Sequence, residues 1–96
     1  MLDPDNDKIS KMKKEIIEII DESREIAYKV AFYSQPEVQT ILNRLFDEWE
    51  RNNRRGIPLD YAIDVEIRIL HKIAKEISRK PPEDLWASLV RDYMRR

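Results

Sequence analysis

The sequence predicts an all-α protein: a single domain over residues 1–96, with four helices in an orthogonal or bundle-like arrangement, a long first helix and a central third helix. Three observations favour this fold. Apolar residues recur at spacings of three and four along most of the chain, which is the period of an amphipathic helix. Gly occurs once and Pro five times in 96 residues, so few breaks interrupt the pattern. Acidic residues gather near predicted helix starts and Arg residues near predicted helix ends, as helix dipoles favour.

The first predicted helix begins at Asp3 and Pro4, with Asp as the N-cap and Pro in the first helical position. Its apolar stripe follows a heptad pattern for about 25 residues. The stripe consists of Ile9, Met12, Ile16, Ile19, Ser23, Ile26, Val30 and Tyr33. The run Asp21, Glu22 and Ser23 leaves a break near Ser23 open. Because the stripe continues through this run without Gly or Pro, we favour one long helix, with Ser23 as a small residue at a tight helix crossing.

The second predicted helix begins in the segment SQPE at residues 34–37. Ser34 and Glu37 have the spacing of a capping box, and Pro36 lies in the first turn. Its stripe consists of Val38, Ile41, Leu42, Leu45, Phe46 and Trp49. Gly56 is expected to supply the left-handed position that ends this helix.

The third and fourth predicted helices are separated by the segment KPPED at residues 80–84. Pro58 and Asp60 signal the start of the third segment, and the pattern predicts a continuous helix over residues 61–77. The two prolines of KPPED stop that helix and start the next. The stripe of the fourth helix consists of Leu85, Trp86, Leu89, Val90 and Tyr93.

One stretch of the third segment, IDVEIRIL at residues 63–70, also alternates like a strand. The following segment, IAKEISRKPPEDLWASLVRDYM at 73–94, resembles the two-helix portion of the ribbon-helix-helix DNA-binding family. That resemblance implies an extended ribbon that pairs with a second chain. We favour the helix, because a solitary strand leaves its backbone groups unpaired, whereas a helix pairs them internally. The helix places Glu66 on its inward or boundary side.

The sequence predicts no catalytic, cofactor-binding or metal-binding residues. The absence of Cys excludes disulfides and thiolate metal sites, and a single histidine excludes a multi-histidine site. Glu66 is the one candidate for a carboxylate with a shifted pKa, but without a nucleophile or a metal partner it forms no active site. We expect Glu66 to have a structural role, bonded to an Arg, a Tyr or a Trp or partly exposed, and His71 to be a solvated surface residue.

The charge pattern argues against a nucleic-acid partner. The net charge is −1, although residues 1–50 hold 7 basic and 12 acidic residues and residues 51–96 hold 11 and 7. The basic residues of the second half include two clusters: Arg51, Arg54 and Arg55, then Arg91, Arg95 and Arg96. Both clusters lie at predicted helix ends, where the dipole alone favours cations.

No partner or cofactor is required by these features. A monomer is favoured, and the long heptad stripe of the first helix leaves a homodimer open. No apolar run approaches the ~20 residues of a membrane span, and the N-terminal segment lacks the pattern of a signal peptide. We therefore expect a soluble, cytoplasmic protein.

The helix caps, the charges at the helix ends and the apolar stripes all indicate the same helices. This agreement resembles the style of de novo designed helical proteins. That resemblance implies a thermostable protein without enzymatic activity, whose role is structural or scaffold-like. The alternative is a natural protein from a thermophile. It would be a small DNA-binding regulator, ribbon-helix-helix-like or otherwise helical, or a helical protein-interaction module.

Overall fold

Five α-helices make up most of the computed structural model, which describes residues 4–95 and their side chains from Asp7 onwards. The helices are α1 (Pro4–Ile16), α2 (Ile26–Tyr33), α3 (Pro36–Arg51), α4 (Asp64–Ser78) and α5 (Pro82–Met94). A π-helical turn (Ile17–Asp21) extends α1, and a 3₁₀ turn (Pro58–Tyr61) precedes α4. No strand occurs within residues 4–95. The all-α prediction is confirmed, whereas the predicted number of four helices is wrong. The predicted N-cap, Asp3, lies outside the described residues.

The additional helix arises because the first predicted helix is broken. The chain leaves the helical path after the π-helical turn, and α2 begins at Ile26. The Ser23 hydroxyl accepts a hydrogen bond from the backbone N–H of Glu25 at 3.1 Å, so Ser23 belongs to a turn rather than to a helix crossing. Short polar side chains favour such turns because they bond to the nearby backbone. The heptad pattern missed the break because Ile20 and Ala27, on its two sides, are buried in the same core.

The core joins all five helices and the π-helical turn through one cluster of buried side chains, to which α3 contributes Val38. Helix α4 packs against α1, the π-helical turn and α2, while α5 packs against α2 and the 3₁₀ turn packs against α3. The buried apolar residues of this cluster are Ile9, Ile16, Ile20, Ala27, Ala31, Phe32, Val38, Ile67, Leu70, Ala74, Ile77 and Leu85. No helix of the described residues combines the length and the apolarity of a membrane span.

Helix α3 begins at Pro36, as predicted, but without the predicted capping box. The Ser34 hydroxyl donates to the carbonyl of Ala31 at 3.1 Å and therefore closes the end of α2. Gln35 occupies the N-cap position of α3 in an extended conformation. The capping-box prediction was wrong because the two helices are separated by only two residues, so Ser34 serves the preceding helix.

The loop after α3 is held by two aromatic side chains. Asn53 and Arg54, each with φ of 59°, supply the left-handed positions directly after the helix. Gly56 is also left-handed, with φ of 70°, but the prediction that it ends this helix was wrong, because α3 already ends at Arg51. Trp49 donates its indole N–H to the carbonyl of Gly56 at 3.0 Å, and the Tyr61 hydroxyl donates to the carbonyl of Arg55 at 2.7 Å.

The stretch IDVEIRIL enters helix α4, so the strand that the ribbon-helix-helix resemblance requires is excluded. Ile63 is extended, with φ of −83° and ψ of 166°, and the helix begins at Asp64. The prediction of a continuous helix over residues 61–77 placed its start three residues too early, because the 3₁₀ turn and the extended Ala62 and Ile63 come first. Helix α5 begins at Pro82, as the KPPED segment predicted.

Candidate functional site

Glu66 is the only buried charged side chain among the described residues, and the predicted inward position is confirmed. Its partner is Arg44 on α3. The Arg44 Nε–H donates to Glu66 Oε2 at 2.7 Å, and Arg44 Nη2 donates to Glu66 Oε1. Arg44 Nη2 also donates to the carbonyl of Tyr61 at 3.1 Å. The backbone N–H of Ile63 donates to Glu66 Oε1 at 3.0 Å. Glu66 therefore connects the first turn of α4 to α3.

The surroundings of Glu66 keep it ionised. The hydrogen bond from Arg44 lowers the pKa of the Glu66 carboxyl, and the hydrogen bond from the Ile63 N–H acts in the same direction, while burial opposes both. A general acid that works near neutral pH needs a raised carboxyl pKa. A carboxylate with both oxygens bonded to a guanidinium is instead suited to holding two helices together.

His71 lies between α4 and α1 rather than on a solvated surface, so that prediction was wrong. Only 18% of its side chain is exposed, and its Nε2 lies 3.1 Å from Glu15 Oε2. Lys75 Nζ lies 3.5 Å from the same oxygen. The hydrogen bond with His71 is the main cause of a lowered pKa at Glu15. The helical wheel of α4 could not reveal this pair, because Glu15 belongs to another helix that packs over the polar edge of α4.

An apolar groove of about 270 Å³ lies where the π-helical turn meets α2, α3 and the 3₁₀ turn. Its lining residues are Ile16, Ile17, Asp21, Phe32, Tyr33, Leu42, Phe46, Ile57, Pro58, Leu59 and Leu70. Among these residues, the Tyr33 hydroxyl donates to Asp21 Oδ1 at 2.5 Å. Burial, followed by the hydrogen bond to Asp21, raises the pKa of the Tyr33 hydroxyl. The groove therefore has an apolar lining and one carboxylate, that of Asp21, as a hydrogen-bond acceptor. The sequence did not predict this groove, because its residues come from five separate segments.

No protein-family model, no curated protein and no solved structure matches this chain. A function must therefore be argued from the side chains themselves.

Helix α5 carries an exposed apolar stripe on the face beside its buried one. We define the α5 stripe as Trp86, Val90, Tyr93 and Met94, which are 43%, 55%, 78% and 78% exposed. The sequence assigned the first three to the core together with Leu85 and Leu89. Within α5 only Leu85 is fully buried, and Leu89 is partly buried. The apolar pattern of the sequence is wider than the face that α2 covers, so the pattern alone could not separate core from surface.

The Arg cluster after α3 is partly engaged in local ion pairs. Arg51 Nη1 lies 3.5 Å from Glu48 Oε1, and Arg54 Nη2 lies 3.1 Å from Glu50 Oε1. The Arg54 guanidinium also stacks over the Trp49 ring, 5.7 Å from its centroid. In the second cluster, Arg96 lies outside the described residues. Within the described residues, no group of three His, Asp or Glu side chains is arranged to hold a metal ion.

Proposed function

We propose that this chain is a non-catalytic helical domain, built around α4, whose role is structural or scaffold-like, and that its sequence follows the style of a de novo design. The observation that carries the proposal is the pairing of Glu66 with Arg44 and with the Ile63 N–H. The one buried carboxylate among the described residues is used to join α3 to the start of α4. A group with these partners supports the fold and is not free to transfer protons.

Two further observations support a fold that is complete without a ligand. Every buried side-chain polar atom of the described residues has a hydrogen-bond partner. Such full satisfaction is a criterion of well-specified helical folds. The 3₁₀ turn and α4 also begin in the same way. The Asp60 carboxylate accepts a hydrogen bond from the Ile57 N–H at 3.0 Å. The Glu66 carboxylate accepts one from the Ile63 N–H at 3.0 Å. In each case, a carboxylate pairs a backbone donor that a helix start would otherwise leave open.

Thermal unfolding in metal-free, ligand-free buffer tests the proposal. We expect a single cooperative transition above about 65 °C, the upper limit for most mesophilic domains. Circular dichroism should give the same midpoint as calorimetry, with equal van't Hoff and calorimetric enthalpies. A broad transition, or one that becomes cooperative only when a metal ion is added, would contradict it.

A second candidate function, that of a helical protein-interaction module, is favoured by the α5 stripe. Contiguous exposed apolar patches mark interaction sites on proteins, whereas apolar side chains exposed singly need no explanation. Four apolar side chains at spacings of i, i+4, i+7 and i+8 form one face of α5. That face has the form of a helix-packing surface without its partner.

A further inference from the structure

We propose that the α5 stripe pairs with the α5 stripe of a second copy of this chain, in antiparallel orientation, to form a symmetric homodimer. The inference rests on the second candidate function and specifies its partner. It begins from the burial of α5, in which Leu85 alone is fully buried and the four apolar side chains of the stripe are exposed.

The shape of the stripe fits another helix. At about 100° per residue, Trp86, Val90, Tyr93 and Met94 fall within an arc of about 100°, which is the width of a helix-packing face. This arc lies beside the one that contains Leu85 and Leu89, the side that faces the core. A second helix can therefore pack on α5 without displacing α2.

The charges of α5 select the orientation of that second helix. Glu83 and Asp84 lie in its first turn, while Arg91 lies in its last turn and Arg95 directly follows it. An antiparallel copy brings the acidic end of each helix beside the basic end of the other. A parallel copy would place like charges together, and it would also align the two helix dipoles unfavourably. The chain's net charge of −1 adds little repulsion between copies.

Two-fold symmetry then fixes the contacts along the stripe. With Val90 at the axis, it meets the partner's Val90, and Trp86 lies level with the partner's Met94. Beside Tyr93, a cleft of about 260 Å³ between α2 and α5 is lined by Val30, Ser34, Leu89, Asp92 and Tyr93. The indole of the partner's Trp86 is the aromatic side chain that this register brings to the cleft.

The test is the molar mass of the full chain in solution, measured by sedimentation equilibrium from about 1 to 500 µM, a range that brackets micromolar dissociation constants. We expect the wild type to approach twice the monomer mass as concentration rises. Val90→Lys should remain monomeric throughout, because it places two ammonium groups at the symmetry axis. Val65→Lys is the matched control, since Val65 on α4 is also 55% exposed, and it should dimerise like the wild type.

A charge exchange tests the orientation. Glu83→Lys and Arg95→Glu should each weaken dimerisation at low salt by about tenfold or more, and the double variant should restore it. A wild type that stays monomeric at 500 µM, an equal effect of Val65→Lys and Val90→Lys, or a double variant weaker than both single variants would overturn the proposal. Unfolding of the same samples separates the two hypotheses: a monomer that unfolds cooperatively contradicts only the dimer, whereas non-cooperative unfolding contradicts the scaffold function.

Discussion

Arg44 and Glu66 lie 22 positions apart in sequence and on different helices, yet the Arg44 guanidinium bonds both carboxylate oxygens of Glu66. The pair differs from a fully buried ion pair because 42% of the Arg44 side chain remains exposed. Arg44 can therefore turn to water if its partner is removed. The backbone N–H of Ile63, which also bonds Glu66, belongs to the fixed start of α4 and has no such freedom.

We predict that Glu66→Leu lowers the free energy of unfolding by about 2 kcal/mol, because it leaves the Ile63 N–H without an acceptor. Glu66→Gln keeps one acceptor oxygen, so it should cost only about 1 kcal/mol. Chemical denaturation measures both values, with Glu76→Gln, an exposed carboxylate of the same helix, as the control. A neutral or stabilising Glu66→Leu would mean that packing outweighs the lost hydrogen bonds, as is known for some buried ion pairs.

A second prediction concerns the stability of the fold at acid pH. The pKa values of Glu66 and Glu15 are both lowered in the folded state from an ordinary value of 4.5. Groups of this kind stabilise the fold fully above their unfolded pKa, and that stability is lost as the pH falls through the folded pKa. We expect the unfolding midpoint to fall as the pH drops below about 4.5, and Glu66→Gln to flatten part of that slope. An identical slope in wild type and variant would contradict the assigned role of Arg44.

A third prediction concerns the stability of the fold at alkaline pH. The pKa of Tyr33 is raised in the folded state above an ordinary value of 10.0. Its hydroxyl therefore contributes stability that is present below pH 10 and lost as the pH rises above it. Tyr33→Phe should reduce the alkaline loss of stability seen in thermal melts between about pH 9 and 11. Tyr93→Phe, at a hydroxyl that is far more exposed, should leave the wild-type profile unchanged.

A fourth prediction concerns the loop after α3. Gly56 has φ of 70°, and a Cβ at this position would lie 2.5 Å from Asp60 Oδ2. That same oxygen accepts the Ile57 N–H that begins the 3₁₀ turn. We expect Gly56→Ala to cost about 2 kcal/mol or more in chemical denaturation, since left-handed strain alone costs roughly 1–2 kcal/mol. Asn43→Ala, an exposed change within α3, should stay within about 0.5 kcal/mol of wild type.

The sequence predicted the local features that depend on the nearest residues. Pro36 and Pro82 begin helices where expected, and Glu66 lies on the inner side of a helix rather than in a strand. The sequence did not predict the contacts between distant segments. The pairing of Glu66 with Arg44 crosses 22 positions and that of His71 with Glu15 crosses 56, so no helical period relates them.

The sequence left the break at residues 22–25 open and favoured one long helix for a different reason. Apolar residues continue at the heptad spacing beyond the turn, but these positions, Ile26, Val30 and Tyr33, are exposed, and α2 buries Ala27, Ala31 and Phe32 instead. Periodicity reports where apolar residues recur, and it does not reveal a turn after which a different set of positions is buried. The run Asp21, Glu22 and Ser23 carries the signal of the break, because short polar side chains favour turns over helix interiors, but the continuing apolar stripe outweighed it.

The two tryptophans of this chain occupy contrasting surroundings and therefore serve as internal optical reporters. Trp49 donates its indole N–H to Gly56 and lies under the Arg54 guanidinium, so its emission reports whether the loop after α3 remains closed. Trp86 is 43% exposed on α5 and senses whatever covers that helix. Variants with either tryptophan replaced by Phe would let opening of the loop and covering of α5 be followed separately, in real time and without an attached dye.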